Sequence, residues 1–248
     1  MTPSASEFPP EYVAMLESDG HRNAPAFAYM LANMFKGIDF TGKRVLEVGS
    51  GRGLLAISMG LRGAHVLSME PELAGATSGV VAQQRARVKA LGLNNVEVLS
   101  ADFNTWDPGD CRFHVIVSHA SINHLYASAH NAEHHKETHD AYVQVARRLH
   151  GMLVPAGLFV ATDACRYAFF SGLREFGIRR PWQWHRSAVD WRHHQNPGTW
   201  KRIFREGGFS SIQIAYPVPH RLRMLSPVVD TAIANFFLQG MFVMRAQR

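Results

Sequence analysis

Thiols, long apolar runs and basic tracts are all scarce in this chain, and each scarcity removes a class of protein. Only two cysteines, Cys111 and Cys165, occur in 248 residues. Both lie in or beside strand-like stretches, so they are expected as buried thiols and not as a disulfide framework or a zinc site. No apolar run is long enough to span a bilayer. The first thirty residues lack the basic start, apolar core and small-residue cleavage site of a secretory signal, so a soluble, cytoplasmic protein is expected. Internal repeats and low-complexity tracts are also missing. The net charge of +6 favours an anionic partner. Its basic residues, however, are scattered along helices except for a group running from Arg166 to Arg192. Phosphate-backbone binding wants longer tracts, so nucleic acid is disfavoured as a partner.

What is present is a core and a rhythm. Hydrophobic residues make up 46% of the chain, enough for one large globular domain. After a proline-containing start, residues 12–35 carry apolar positions at helical spacing, broken near Pro25, which predicts two short helices lying across the mouth of a site. From Arg44 onward, strands alternate with helices. Strands are expected at 44–48, 64–69, 96–99, 113–118 and 157–163, with helices at 54–61, 72–91 and 127–149. The strands are short and apolar without alternation, which means burial on both faces in a parallel sheet wound in βαβ units. VPAG at 154–157 reads as a turn. A helix at 196–206 stopped by Gly207 and Gly208, a strand at 211–216, a helical connection at 222–234 and a last strand at 237–244 close the chain.

The stretch VLEVGSGRG at 45–53 carries the chemistry. Gly49, Gly51 and Gly53 follow the first strand and open a helix, where α/β sheets bind ligands. Glycine lets the chain turn sharply and lets a ligand approach the backbone. The dinucleotide pattern G-x-G-x-x-G is not met, because Leu54 stands where its third glycine belongs. Glu47 would repel a pyrophosphate and suits an ammonium group instead.

This acid followed by G-x-G-x-G resembles motif I of the class I S-adenosylmethionine-dependent methyltransferases, and the resemblance extends over residues 40–165. It implies their Rossmann-like α/β fold: a seven-stranded, mostly parallel sheet with an antiparallel last strand and helices on both faces. To this the chain adds N-terminal helices over residues 1–40 and a cap insertion at 164–195. It also implies S-adenosylmethionine as cofactor. Glu47, Gly49, Ser50, Gly51 and Gly53 would face its methionine portion. Glu70, with Pro71 after it, would take the ribose hydroxyls, and Asp102 and Phe103 the adenine.

Methyl transfer to a hydroxyl needs a base, and histidine is matched to that task near neutrality. Of fourteen histidines, His119 and His124, in SHASINHL after the fourth strand, stand nearest the expected methyl group. His124 is the expected base, with Asn123 orienting substrate and His119 nearer the cofactor. His130, His134, His135 and His139 would form i, i+4 pairs on one helix, expected as a solvated or substrate-facing surface and not as a metal site. Asp163, Arg166, Trp184, His185 and His194 are candidates for holding substrate. Their arginine-rich surroundings suit a phosphate or carboxylate, which admits an anionic substrate.

The expected function is therefore O-methylation of a small hydroxylated molecule, a sugar or a secondary metabolite, and a homodimer is left open. Rival readings are an RNA or protein methyltransferase using the basic insertion as its docking surface, and a noncatalytic cofactor-binding partner subunit. A nicotinamide-dependent oxidoreductase is disfavoured by Glu47.

Overall fold

The short apolar runs become the centre of one seven-stranded sheet in a computed structural model that describes residues 8–19, 24–72, 78–169, 193–238 and 240–248. In chain order the elements begin with α1 (Pro10–Ser18), α2 (Ala24–Met34), β1 (Arg44–Val48), α3 (Leu54–Leu61), β2 (His65–Glu70) and α4 (Val80–Ala90). There follow β3 (Val96–Ser100), β4 (Phe113–His119), α5 (Lys136–Met152), β5 (Leu153–Ala164), α6 (Pro197–Glu206) and β6 (Ser211–Ala215). Two short helices, α7 (Ser226–Val229) and α8 (Ala232–Leu238), lead into β7 (Met241–Gln247). The strand order is β3-β2-β1-β4-β5-β7-β6, with β7 antiparallel to both β5 and β6 and the other pairs parallel.

Strand order reverses between β1 and β4, and a crevice therefore opens beyond their carboxyl ends. Residues alternate between the two faces along each strand, so neighbouring side chains enter different cores. Leu46, Ile116 and Phe159 join Tyr142, Trp200 and Phe204 in one core beneath α5 and α6. Val45, Val117 and Val160 join Tyr12, Leu16 and Leu31 in the other, beneath α1, α2 and α3. The N-terminal helices are thus built into the second core. Tyr12 and Leu16 are fully buried, and the Tyr12 hydroxyl donates to the Leu54 carbonyl at 2.7 Å. The C-terminal end of α2 is held by Arg245 on β7, whose guanidinium donates to the carbonyls of Lys36, Asn33 and Met34 at 2.8, 2.9 and 3.1 Å. Those carbonyls are the acceptors a helix end leaves unpaired.

Several expected boundaries move, each for a local reason. The helix expected at 72–91 starts at Val80, after Gly79 at φ +78°. The helix expected at 127–149 starts only at Lys136, because His135 caps it and its ring accepts the Thr138 amide. VPAG is no turn. It is absorbed into β5 as an irregularity opposite a register shift on β4, with Ala156 at φ +62°. The last strand begins at Met241, since α8 occupies 232–238. Cys165 is buried and burial pushes its thiol up to about 12, as a packing residue requires, whereas Cys111 is only half-buried. Among the described residues, no helix is long and apolar enough to cross a membrane.

Candidate active site

The turn after β1 is shaped by three glycines with positive φ: Gly49 at +74°, Gly51 at +52° and Gly53 at +79°. L side chains rarely adopt that conformation, and two of the three positions are also sterically closed. A Cβ on Gly49 would meet Ser121 Cβ at 2.5 Å, and one on Gly53 would meet the Gln84 side chain at 2.4 Å. A Cβ on Gly51 would meet nothing within 4 Å, because Gly51 faces open space. That space is a cavity of about 840 Å³ over the crevice.

The expected cofactor residues converge on it. Glu47, Gly49, Ser50 and Gly51 line one side, Glu70 and Pro71 another, and Asp102 and Phe103 a third. Gly53 does not line the cavity. It caps α3, and the room beside it belongs to Gln84. The Gly51 amide donates to Glu70 Oε2 at 2.7 Å, which ties the turn to the end of β2. Asp102 Oδ1 accepts the Asn104 amide at 2.7 Å in an Asx turn, which sets the carboxylate at the loop. Phe103 is 2% exposed, with the Arg148 guanidinium 5.2 Å from its ring centroid.

Electrostatics single out Glu47. It is 2% exposed on a central strand, with the Ala56 amide as a donor and Ser68 Oγ at 3.5 Å. Burial, with the Glu70 charge adding to it, pushes its carboxyl from 4.5 up to about 8. Burial raises Glu70 as well, opposed by the Gly51 amide. A buried carboxylate short of partners is costly, and a ligand ammonium group would offset that cost. The residues present therefore fit the amino-acid end of S-adenosylmethionine at Glu47 and its ribose hydroxyls at Glu70.

Three supports carry no signal in the sequence. Gln84 is fully buried; it accepts from Ser50 Oγ at 3.2 Å and donates to Ser68 Oγ, joining α4 to the turn and to β2. Ser121 Oγ donates to the Val48 carbonyl at 2.8 Å and lies 2.9 Å from Ser118 Oγ, interlocking the loops after β1 and β4. Asp19, at the end of α1, takes a bidentate pair from Arg87 at 2.6 and 2.7 Å and a third bond from Arg52 at 3.0 Å. These arginines hold its carboxyl below the usual range. Such residues read as ordinary polar positions until the fold brings them together.

The loop after β4 carries the histidines. It starts with Ala120 at φ +53°, an uncommon conformation for alanine beside a site. His119 lines the 840 Å³ cavity and also a second cavity of about 310 Å³. Its Nδ1 is hydrogen-bonded to Thr162 Oγ1, its register partner on β5. His124 lines the rim of the larger cavity and is exposed, its ring 5.7 Å from that of His194.

Asn123, expected to orient substrate, is packed into the loop. It is fully buried, lines neither cavity and is occupied on every side. Its Oδ1 accepts the Gln195 amide at 3.0 Å, its Nδ2 lies 3.3 Å from His194 Nδ1, and its carbonyl accepts from the Tyr142 hydroxyl at 2.7 Å. These bonds clamp the loop. Asp163 is likewise interior, accepting the Ala164 amide at 2.7 Å and facing His194 at 3.8 Å; Arg166 donates to the His194 carbonyl at 3.2 Å. His194, buried, belongs to this internal cluster, so these three line neither cavity. Trp184 and His185, with most of the 164–195 insertion, lie outside the described residues.

The four upstream histidines do not share a helical face. His130 and His134 precede α5, His135 caps it, and His139 pairs with Glu206 at 2.8 Å. Among the described residues, no cluster of three or more His, Cys, Asp or Glu side chains is placed to hold a metal ion.

Comparison with known proteins agrees with this fold. A family model described as a methyltransferase domain matches residues 17–214. Of solved structures, a S-adenosylmethionine-dependent methyltransferase from Mesorhizobium loti aligns with a TM-score of 0.59 at 19% identity, over 90% of this chain and 98% of that one. An Aquifex aeolicus methyltransferase aligns at 0.57 and 14%, over 97% and 98%. Phosphoethanolamine N-methyltransferase 2 of Haemonchus contortus, solved with S-adenosylmethionine, aligns at 0.60 and 14%; 96% of this chain spans 60% of that one. At such identities the likeness is one of fold. No curated protein matches the sequence itself.

Proposed function

Because this chain belongs to the class I S-adenosylmethionine-dependent methyltransferases, we propose that it methylates a hydroxyl of a small molecule, with a histidine of the β4 loop taking the proton. The observation that carries this reading is the position of His119, a proton acceptor on the wall shared by the cofactor-sized cavity and its neighbour. When bound, S-adenosylmethionine supplies an electrophilic methyl on a sulfonium. The protein's work is to hold an acceptor in line with it, which can contribute ~7 to 11 kcal/mol.

In this reading Glu47 receives the ammonium group, Glu70 the ribose hydroxyls, and Asp102 with Phe103 the adenine. Gly49, Ser50 and Gly51 give the methionine portion a close approach to backbone. His119 and His124 are the two candidate bases, His119 lining both cavities and His124 the larger one. Calorimetric titration with S-adenosylhomocysteine, on the wild type and on Glu70→Ala, tests the cofactor site. Radiolabelled methyl transfer yielding an alkali-stable ether tests the acceptor atom. Absence of S-adenosylhomocysteine binding to the wild type would remove the reading.

A further inference from the structure

Exposed apolar side chains gather in one stretch of this chain. Among the described residues eight large hydrophobic side chains are exposed, and six of them, Met224, Leu225, Ile233, Phe236, Phe237 and Leu238, belong to the segment that leads into β7. Single exposed hydrophobics are ordinary on a protein surface, whereas a concentration of them marks a place where something docks. Met224 is 84% exposed and Ile233 77%, so neither is shielded by its neighbours.

Local geometry aligns them. A short 3₁₀ helix (His220–Leu225) carries Arg221 and Met224 three residues apart, and at three residues per turn these two stand one above the other. In α8, Ile233 lies three residues before Phe236 and four before Phe237, which sets all three on one face. Asn235, on the other side, is buried and anchors the helix, its Oδ1 accepting the Met241 amide at 3.2 Å. The apolar face is thereby held outward. The segment begins at the wall of the second cavity, which Val218, Pro219 and His220 share with α2 and β7.

Charge decides what fits. From Gly207 to Arg248 the sequence holds a single acid, Asp230, against Arg221, Arg223, Arg245 and Arg248. Arg245 is engaged at the end of α2, but Arg221 and Arg223 are exposed and enter no ion pair among the described residues. Arg223 Nη1 donates to the His220 carbonyl at 3.3 Å. A second copy seated face to face would bring these arginines together with one acid per copy to offset them, which disfavours self-association. An anionic lipid surface answers both halves of the patch: the acyl boundary takes the apolar side chains and the phosphates take the guanidinium groups.

We infer that the 3₁₀ helix and α8 dock this protein on an anionic membrane surface. Met224, Ile233, Phe236 and Phe237 enter the interface, and Arg221 and Arg223 pair with lipid phosphates. Such attachment is peripheral and needs no membrane-crossing helix. It stands apart from the methyltransferase reading and does not depend on it.

Co-sedimentation of the full chain with vesicles tests this, comparing phosphatidylcholine alone with phosphatidylcholine carrying about 30% phosphatidylglycerol. Binding to the anionic vesicles should be at least about tenfold tighter and should weaken as salt is raised. Arg221→Gln with Arg223→Gln should weaken it by about tenfold or more, since each guanidinium near such a surface contributes about fivefold. Ile233→Glu with Phe237→Glu should abolish it, because a carboxylate at each position faces both the acyl boundary and the lipid charge. Both variants should keep S-adenosylhomocysteine affinity within about twofold and a Tm no lower than the wild type, since the substituted side chains are exposed. Absence of an anionic preference, or binding that survives both double variants, would overturn the proposal. A lowered Tm in the glutamate variant would also overturn it, by assigning the face to contacts within the chain. So would a wild-type dimer in analytical ultracentrifugation that the glutamate variant dissociates, because the face would then belong to a second copy.

Discussion

Glu47→Gln should make the ligand-free protein more stable and its cofactor site worse. A carboxyl raised from 4.5 to about 8 binds a proton in the folded state across a window where the unfolded chain has released it. Folding stability therefore falls as pH rises from about 4.5 to about 8, by ~1.4 kcal/mol per unit. At pH 7 the accumulated penalty is roughly 3 kcal/mol, approaching roughly 5 above pH 8. Glutamine has nearly the same shape, keeps an acceptor for the Ala56 amide and cannot ionise. For a chain of this size the gain corresponds to a rise in Tm on the order of 5 to 10 °C near neutrality. The penalty should shrink to about 1 kcal/mol at pH 5, and the gap between wild type and variant should narrow accordingly. Thermal melts of both proteins from pH 5 to 8.5 provide the assay, with S-adenosylhomocysteine titrations alongside. Wild-type affinity should rise with pH up to about 8, as Glu47 ionises to meet an ammonium group, and the variant should bind weakly with little pH dependence. A variant less stable than wild type at pH 8, or one that keeps the wild-type pH slope, would refute the reasoning. Such a stability gain at the expense of a site is common where burial tunes a functional charge.

Other perturbations separate support from contact. Gly53→Ala combines φ +79° with a clash against Gln84 and should cost ~2 to 4 kcal/mol, whereas Gly51→Ala meets nothing and should cost ~1 kcal/mol while impairing S-adenosylhomocysteine binding; denaturant melts and calorimetry distinguish them. Arg87→Met leaves Asp19, whose side chain is 5% exposed, with Arg52 alone and should destabilise by ~2 kcal/mol. Because Asp19 is depressed, the stability of that latch should be present above its unfolded value near 3.8 and be lost as pH falls through the folded one. Acid unfolding curves of wild type and Arg87→Met should therefore converge at low pH. Arg245→Met unties the carbonyls ending α2 and should cost ~1 to 3 kcal/mol, read by hydrogen exchange across residues 24–36.

Sequence by itself determined what is local and periodic. Short apolar runs announced β1, β2, β3 and β4 within a residue or two; in β1, β2 and β4, burial on both faces leaves little room for polar alternation, whereas the edge strand β3 keeps Glu97 exposed. Positive φ at Gly49, Gly51 and Gly53 is a property of single residues, so the turn was legible there. The acids Glu47, Glu70 and Asp102 stand at or just beyond strand ends, and strand ends are where a parallel sheet opens to ligand. Helix starts were less legible: a single cap, Gly79 or His135, decides where a helical pattern begins, and periodicity runs past it. Tertiary structure alone decided the rest. Asn123 reads like a substrate contact beside two histidines, yet Gln195 and Tyr142, 72 and 19 residues away, claim its polar atoms. Gln84 and Asp19 become supports of the turn only when α4 and α1 pack beside it. The distinction between His119 and His124 rests on a cavity whose walls come from α2, β7 and the segment after β6. No window of sequence contains those walls together, because their proximity follows from sheet order and not from spacing along the chain.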